Sequence, residues 1–192
     1  MRAFPALLAT LLVASAASAD SAEWAIDASH SHVGFSVSHL VVSKVNGRFK
    51  DVSGKVTLDE KDLTKSGVDV LIKVNSINTD DEKRDAHLKS ADFFDAAKFP
   101  EIKFHSTKIA RAGQGFKVTG DLTIRDKSKS VTLDGTLSKP IKSPWGKDVR
   151  GAEFKGKINR GDFGLSWNKT LDGGGVVVGD LVTLDIAIEI NK

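Results

Sequence analysis

The sequence predicts an all-β protein: an antiparallel sheet of short strands, rolled into a closed barrel and broken by one short helical insert at about residues 79–98. Three observations carry this. From Leu181 to Ile190, Val182, Leu184, Ile186, Ile188 and Ile190 fall on one face while Thr183, Asp185 and Glu189 fall on the other, the period of a half-buried strand. The same alternation returns in Phe116, Val118, Leu122 and Ile124, and again in Val68, Val70, Ile72 and Val74. Finally, turn residues such as Gly113, Gly115, Asp126 and Pro140 punctuate these runs, and only the 79–98 stretch is rich in helix formers. Such strands must bury a continuous apolar face, and a barrel that does so can also enclose an apolar ligand.

Residues 1–19 read as a secretory leader. Arg2 precedes an apolar run from Ala3 to Val13, and Ala17-Ser18-Ala19 supplies the small residues of a cleavage site. The run is shorter than the roughly 20 apolar residues a spanning helix needs. Cleavage after Ala19 leaves one domain, residues 20–192, exported to the periplasm. Its candidate strands lie near 23–27, 31–41, 45–59, 67–77, 101–110, 115–125, 129–138, 149–160 and 180–191. In the insert, Thr79-Asp80-Asp81-Glu82 has the form of a capping box, and Asp80 with Arg84 and Asp85 with Lys89 are acid-before-base pairs at i,i+4. Phe93 and Phe94 follow, and Pro100 ends the insert. A charged helix leading into two phenylalanines suits a cap over a barrel end, and equally an ordinary covering helix.

Cysteine is absent, which excludes disulfides, a lipid-bearing cysteine and a thiol nucleophile, and fits a bacterial envelope compartment. The net charge of +3 falls to +2 once Arg2 leaves with the leader, and the charges are interspersed, which argues against nucleic acid as partner. Asp162-Phe163-Gly164 stands without a nucleotide loop or a catalytic loop, and Gly173-Gly174-Gly175 lacks the Lys-Ser/Thr of a phosphate cradle. Of the histidines, His30 and His32 share a strand face, and His39 or His87 offers a third metal ligand; one His-x-His pair is a pattern of low specificity. The expectation is therefore no catalytic residue, no metal and no cofactor.

Ordered blocks run along the chain: His30-Ser31-His32-Val33-Gly34-Phe35, Val45-Asn46-Gly47-Arg48-Phe49, Arg84-Asp85-Ala86-His87-Leu88, Asp92-Phe93-Phe94-Asp95, Phe99-Pro100-Glu101-Ile102 and Asn159-Arg160-Gly161-Asp162-Phe163-Gly164. Together they resemble the YceI-like family of bacterial periplasmic polyisoprenoid-binding proteins. The resemblance implies a lipocalin-like eight-stranded antiparallel β-barrel, so one of the nine candidate strands is an edge piece or joins its neighbour. It also implies a tunnel holding an isoprenoid or fatty amphiphile. Phe35, Val37, Ile72, Phe104, Phe116, Leu122 and Ile186 are then its inward residues, with Phe93 and Phe94 at the mouth. The bulk of several of these favours a filled interior, since eight strands leave room either for side chains or for one ligand. Two functions stand: a lipid carrier, marked by a dry apolar tunnel, and a secreted hydrolase or metalloenzyme, marked by His30, His32, His39 or His87 converging on a polar cleft. The sequence leaves a homodimer open.

Overall fold

The computed structural model describes residues 21–192; the expected leader and its cleavage site lie outside the described residues. Eleven strands and one helix follow in order: β1 (Ser21–His39), β2 (Ser43–Phe49), β3 (Val52–Asp59), β4 (Gly67–Lys73), β5 (Ile77–Asn78), α1 (Glu82–Lys89), β6 (Glu101–Ala112), β7 (Gly115–Ile124), β8 (Lys127–Leu137), β9 (Ile141–Lys142), β10 (Asp148–Asn159) and β11 (Val178–Asn191). Hydrogen-bonded neighbours run β11-β10-β8-β7-β6-β4-β3-β1, and β1 pairs again with β11 along Ala25 to His39, which closes an eight-stranded antiparallel barrel. The expected fold class is the observed one.

The candidate strands at 23–27 and 31–41 prove to be one strand, β1, with a bulge between Asp27 and His32. The cause is local: the Asp27 carboxylate accepts from the Ser29 backbone N–H (2.9 Å) and hydroxyl (2.6 Å), and the Ser31 hydroxyl donates to the Asp27 carbonyl. The candidate strand 45–59 bends instead, at Lys50-Asp51, so that β2 pairs the second half of β1 and β3 the first. The merger of 23–27 with 31–41 turns nine candidates into eight, with β2 and β3 together answering to the single candidate 45–59. The run 67–77 ends early because residues Val74–Ser76 close into a 3₁₀ turn.

Hydrogen bonds from Ser29 and then His30 hold the Asp27 carboxyl down to about 2. A carboxyl lowered on folding adds stability that is complete above its unfolded value of about 3.9 and fades as pH falls toward 2. Melting curves of wild type and Asp27→Asn should therefore differ most near about pH 5 and converge as the carboxyl is protonated in both states. A gap of constant size across that range would mean that charge does not hold the bulge.

The helical insert is smaller than expected, and its cap differs. Asp81, not Thr79, caps α1 by accepting from Arg84 N–H, and Asp85 turns inward to accept from the Thr79 N–H (2.8 Å) and hydroxyl (2.6 Å). Arg84 in turn donates to the Thr79 hydroxyl and carbonyl. Both expected i,i+4 pairs thus give way to bonds with Thr79. The reason is burial: a buried carboxylate must find donors nearby, whereas a surface pair on a helix contributes only about 0.3–0.5 kcal/mol.

Candidate functional site

The barrel encloses an apolar cavity. Its two ends are distinguished by what covers them. At the helix end, α1 and the segment after it lie over the opening, with Phe94 edge-on to Phe49 (5.8 Å between ring centres) and Arg125, in the β7–β8 turn, donating to the Phe93 carbonyl. At the opposite, hairpin end lie the 3₁₀ turn Leu63–Lys65 and the β9–β10 hairpin. The cavity between them measures about 240 Å³ and is lined by 36 residues, of which only Ser66 and Arg160 are polar. That volume lies below the roughly 300–1,000 Å³ of pockets for compact ligands. The free space, called the bore below, is small for the number of side chains that wall it.

The seven residues expected to face inward, Phe35, Val37, Ile72, Phe104, Phe116, Leu122 and Ile186, border this space, and so do Phe93 and Phe94, expected at its mouth. The bulk that favoured a filled interior is accommodated by glycines on the inner wall. Phe35 stands opposite Gly47 across β1 and β2, and a β-carbon at Gly47 would collide with the Phe35 ring. The Phe104 ring likewise occupies the space that a side chain at Gly120 would need. Phe116 and Phe154 meet over Gly135, 5.9 Å apart and nearly perpendicular, and a β-carbon there would lie 2.7 Å from Phe116. Rings laid against bare backbone take less of the interior, an arrangement that also compensates the intrinsic weakness of glycine in a strand.

Sequence reasoning missed these glycines and several wall residues, among them Phe49, Phe154, Ile158 and Arg160. Phe154 and Ile158 alternate with Lys155 and Lys157, so the signal was present in the 149–160 strand. Arg160 gave no such signal. It sits 5% exposed in the 3₁₀ turn Arg160–Phe163 and spends every guanidinium N–H on the chain around it: Nε on the Gly179 carbonyl, Nη1 on those of Leu165 and Trp167, and Nη2 on the Val178 carbonyl and the Asp180 carboxylate. With five donors used, this arginine ties the helix-end loop to β10 and β11 and has none left for a ligand.

The histidines do not converge. His87 stacks edge-on between Phe93 and Trp167 and bonds Asp92 (2.9 Å), His105 bonds Asp69, and His39 ends β1. His32 reaches a second depression, about 840 Å³, on the outer face of β1, β2, β8, β10 and β11, where Arg48, Lys155, Asp80 and Asp134 mix both signs of charge. His30 lies near Asp27 (3.2 Å) and Glu189 (3.6 Å) on the exposed rim of the β1 bulge. Among the described residues this is the one group of three potential metal donors, and it holds a single histidine.

The YceI-like domain family matches residues 24–190. Protein YceI of Salmonella newport is 40% identical over 161 residues, covering 83% of this chain and 84% of its own. Among solved structures, BcnA of Burkholderia cenocepacia superposes with a TM-score of 0.75 at 25% identity, covering 85% of this chain and 98% of its own. A polyisoprenoid-binding domain of Saccharophagus degradans, implicated in plant cell wall breakdown, superposes with a TM-score of 0.60 at 17% identity over 87% of this chain and 97% of its own, a likeness of fold.

Proposed function

The chain belongs to the YceI-like domain family, and on that premise we propose that it is a periplasmic binding or carrier protein that holds a polyisoprenoid or similar long-chain amphiphile in the bore of the barrel. The observation that carries the reading is the bore itself: an apolar cavity walled by 36 residues of which two are polar, one of them fully engaged with the chain around it. Water gains little in such a space, while a flexible apolar chain gains about 0.8 kcal/mol for each methylene it buries. A dozen buried methylenes give roughly 10 kcal/mol before the cost of association and of ordering the chain is subtracted. The same chemistry is named for the Saccharophagus domain of like fold. The periplasmic assignment rests on the leader-like residues 1–19 and the lack of cysteine.

The test is solvent extraction of natively purified protein followed by mass spectrometry. A long-chain isoprenoid or acyl amphiphile near one per barrel is the expected result. The reading is overturned if no lipid is extracted and the protein also fails to take up an added long-chain polyprenol or fatty acid.

A further inference from the structure

The β9–β10 hairpin joins basic and exposed apolar side chains on one projection of the barrel. Between Ser138 and Lys147 the chain reads SKPIKSPWGK, three lysines and no acid. Trp145 at its tip is 86% exposed and Ile141 on its stem 65% exposed. The exposure is built in: Ser143 N–H donates to the Lys147 carbonyl (2.8 Å), Gly146 N–H to the Ser143 carbonyl (3.0 Å), Pro144 fixes its own φ, and Gly146 takes the left-handed φ of +82° that closes the turn. The indole is thus held out in water on a short, ordered turn. Lys142 is paired only with Asp148 at 3.2 Å on the surface, and such a pair contributes little, so its ammonium is available to another anion.

We propose that this hairpin docks the protein on an anionic phospholipid surface. Tryptophan is the side chain that settles at the headgroup level of a bilayer, and lysines placed beside it reach the phosphates while their alkyl stems stay in the apolar layer. A protein partner fits less well, because the cores of protein interfaces are depleted in lysine. The chain leaves β8 at Leu137 and, past the hairpin, enters β10 at Asp148, four residues before Ala152; Leu137 and Ala152 both line the bore. Docking therefore brings the hairpin end of the barrel against the bilayer. It does not depend on what the bore contains.

Flotation with vesicles tests it. Protein should float with vesicles that are about one third phosphatidylglycerol, stay behind with phosphatidylcholine alone, and be released by high salt. Each of Lys139→Ala, Lys142→Ala and Lys147→Ala should weaken partitioning about fivefold. Trp24 is buried and Trp167 half-buried, so a blue shift of emission on vesicle addition should vanish in Trp145→Phe. These variants bury almost nothing and should melt like wild type, and their extractable lipid should be unchanged, which separates this result from the occupancy of the bore. The proposal is overturned if anionic vesicles do not retain the protein, or if binding is equal on neutral ones. It is equally overturned if binding is lost through the exposed aliphatic tip at the other end, in Val41→Asp with Val42→Asp, while the hairpin variants bind normally. Self-association that Trp145→Ala abolishes in the absence of lipid would instead assign the hairpin to a second copy of the chain.

Discussion

Val37→Trp yields a folded barrel that retains little of the lipid carried by the wild type. Val37 lies on the inner face of β1, opposite Val45 of β2 and Val182 of β11, and its side chain borders the bore near the helix end. An indole there fills a passage whose whole free volume is about 240 Å³, without placing a charge inside. Overpacking of this kind costs typically about 1–3 kcal/mol, which a barrel of this size survives. Gly120→Ala crowds the same wall at a higher cost in stability, because the added methyl meets the His105 backbone carbonyl at 2.4 Å as well as the Phe104 ring at 2.5 Å. Ile72→Asp serves as the contrast: an unpaired carboxylate beside Ile102 and Val52 removes folding and binding together and so says nothing about the bore. Lipid per mole of protein and melting temperature, measured on the same preparations, decide the matter. Val37→Trp and Gly120→Ala that hold wild-type amounts of the same lipid would place the ligand elsewhere.

The barrel was legible because alternation is a local property and closure follows from it. Each of β7, β8, β10 and β11 lies within two residues of the run read from its own pattern of apolar and polar residues, and strands with one apolar face have no stable arrangement other than burying it. The bend at Lys50 was not legible, since it depends on a partner that arrives only with the fold, the Ser76 carbonyl for the Lys50 N–H; at Asp27 the local bonds mark a break, and only pairing with β11 on both sides of it makes one strand of the two runs. The helix cap was misplaced for a related reason. Thr79 and Asp81 are both good caps by residue type, and the choice was made by Asp85, which is buried and takes Thr79 for itself.

The inner residues of the bore were found and its openness was not. Alternation says that Phe35, Phe104 and Phe116 point inward, and from there bulk argues for a filled core. What reverses the argument is the cross-strand register that sets Phe35 opposite Gly47 and Phe116 opposite Gly135. A glycine read alone in a strand is a weak point; read against the aromatic residue on its neighbour it is the space into which the ring folds.

Arg160→Met should destabilise the protein more than the loss of any surface ion pair. The side chain keeps most of its length, but five hydrogen bonds go, and the carbonyls of Leu165, Trp167 and Gly179 lose their arginine donor, while that of Val178 keeps the Asn168 side-chain N–H. Each buried acceptor left without a partner costs about 1–3 kcal/mol, with some regained from water at the loop edge, so a total of roughly 3–5 kcal/mol is expected. For a chain of this length that lowers the melting temperature by roughly 10 °C. Asp180→Asn isolates the charge contribution. Its carboxylate is 66% exposed, so removing it should cost about 1 kcal/mol or less. Arg160→Lys should fail to rescue, because one ammonium on a flexible stem cannot serve carbonyls on both sides of the loop at once. Leu165 and Val178 line the bore, and their carbonyls are two of those that Arg160 holds, so the variant should also release its lipid faster. A melting temperature within a degree or two of wild type would mean that packing of Phe163 and Leu165, both buried, fixes the loop without the arginine.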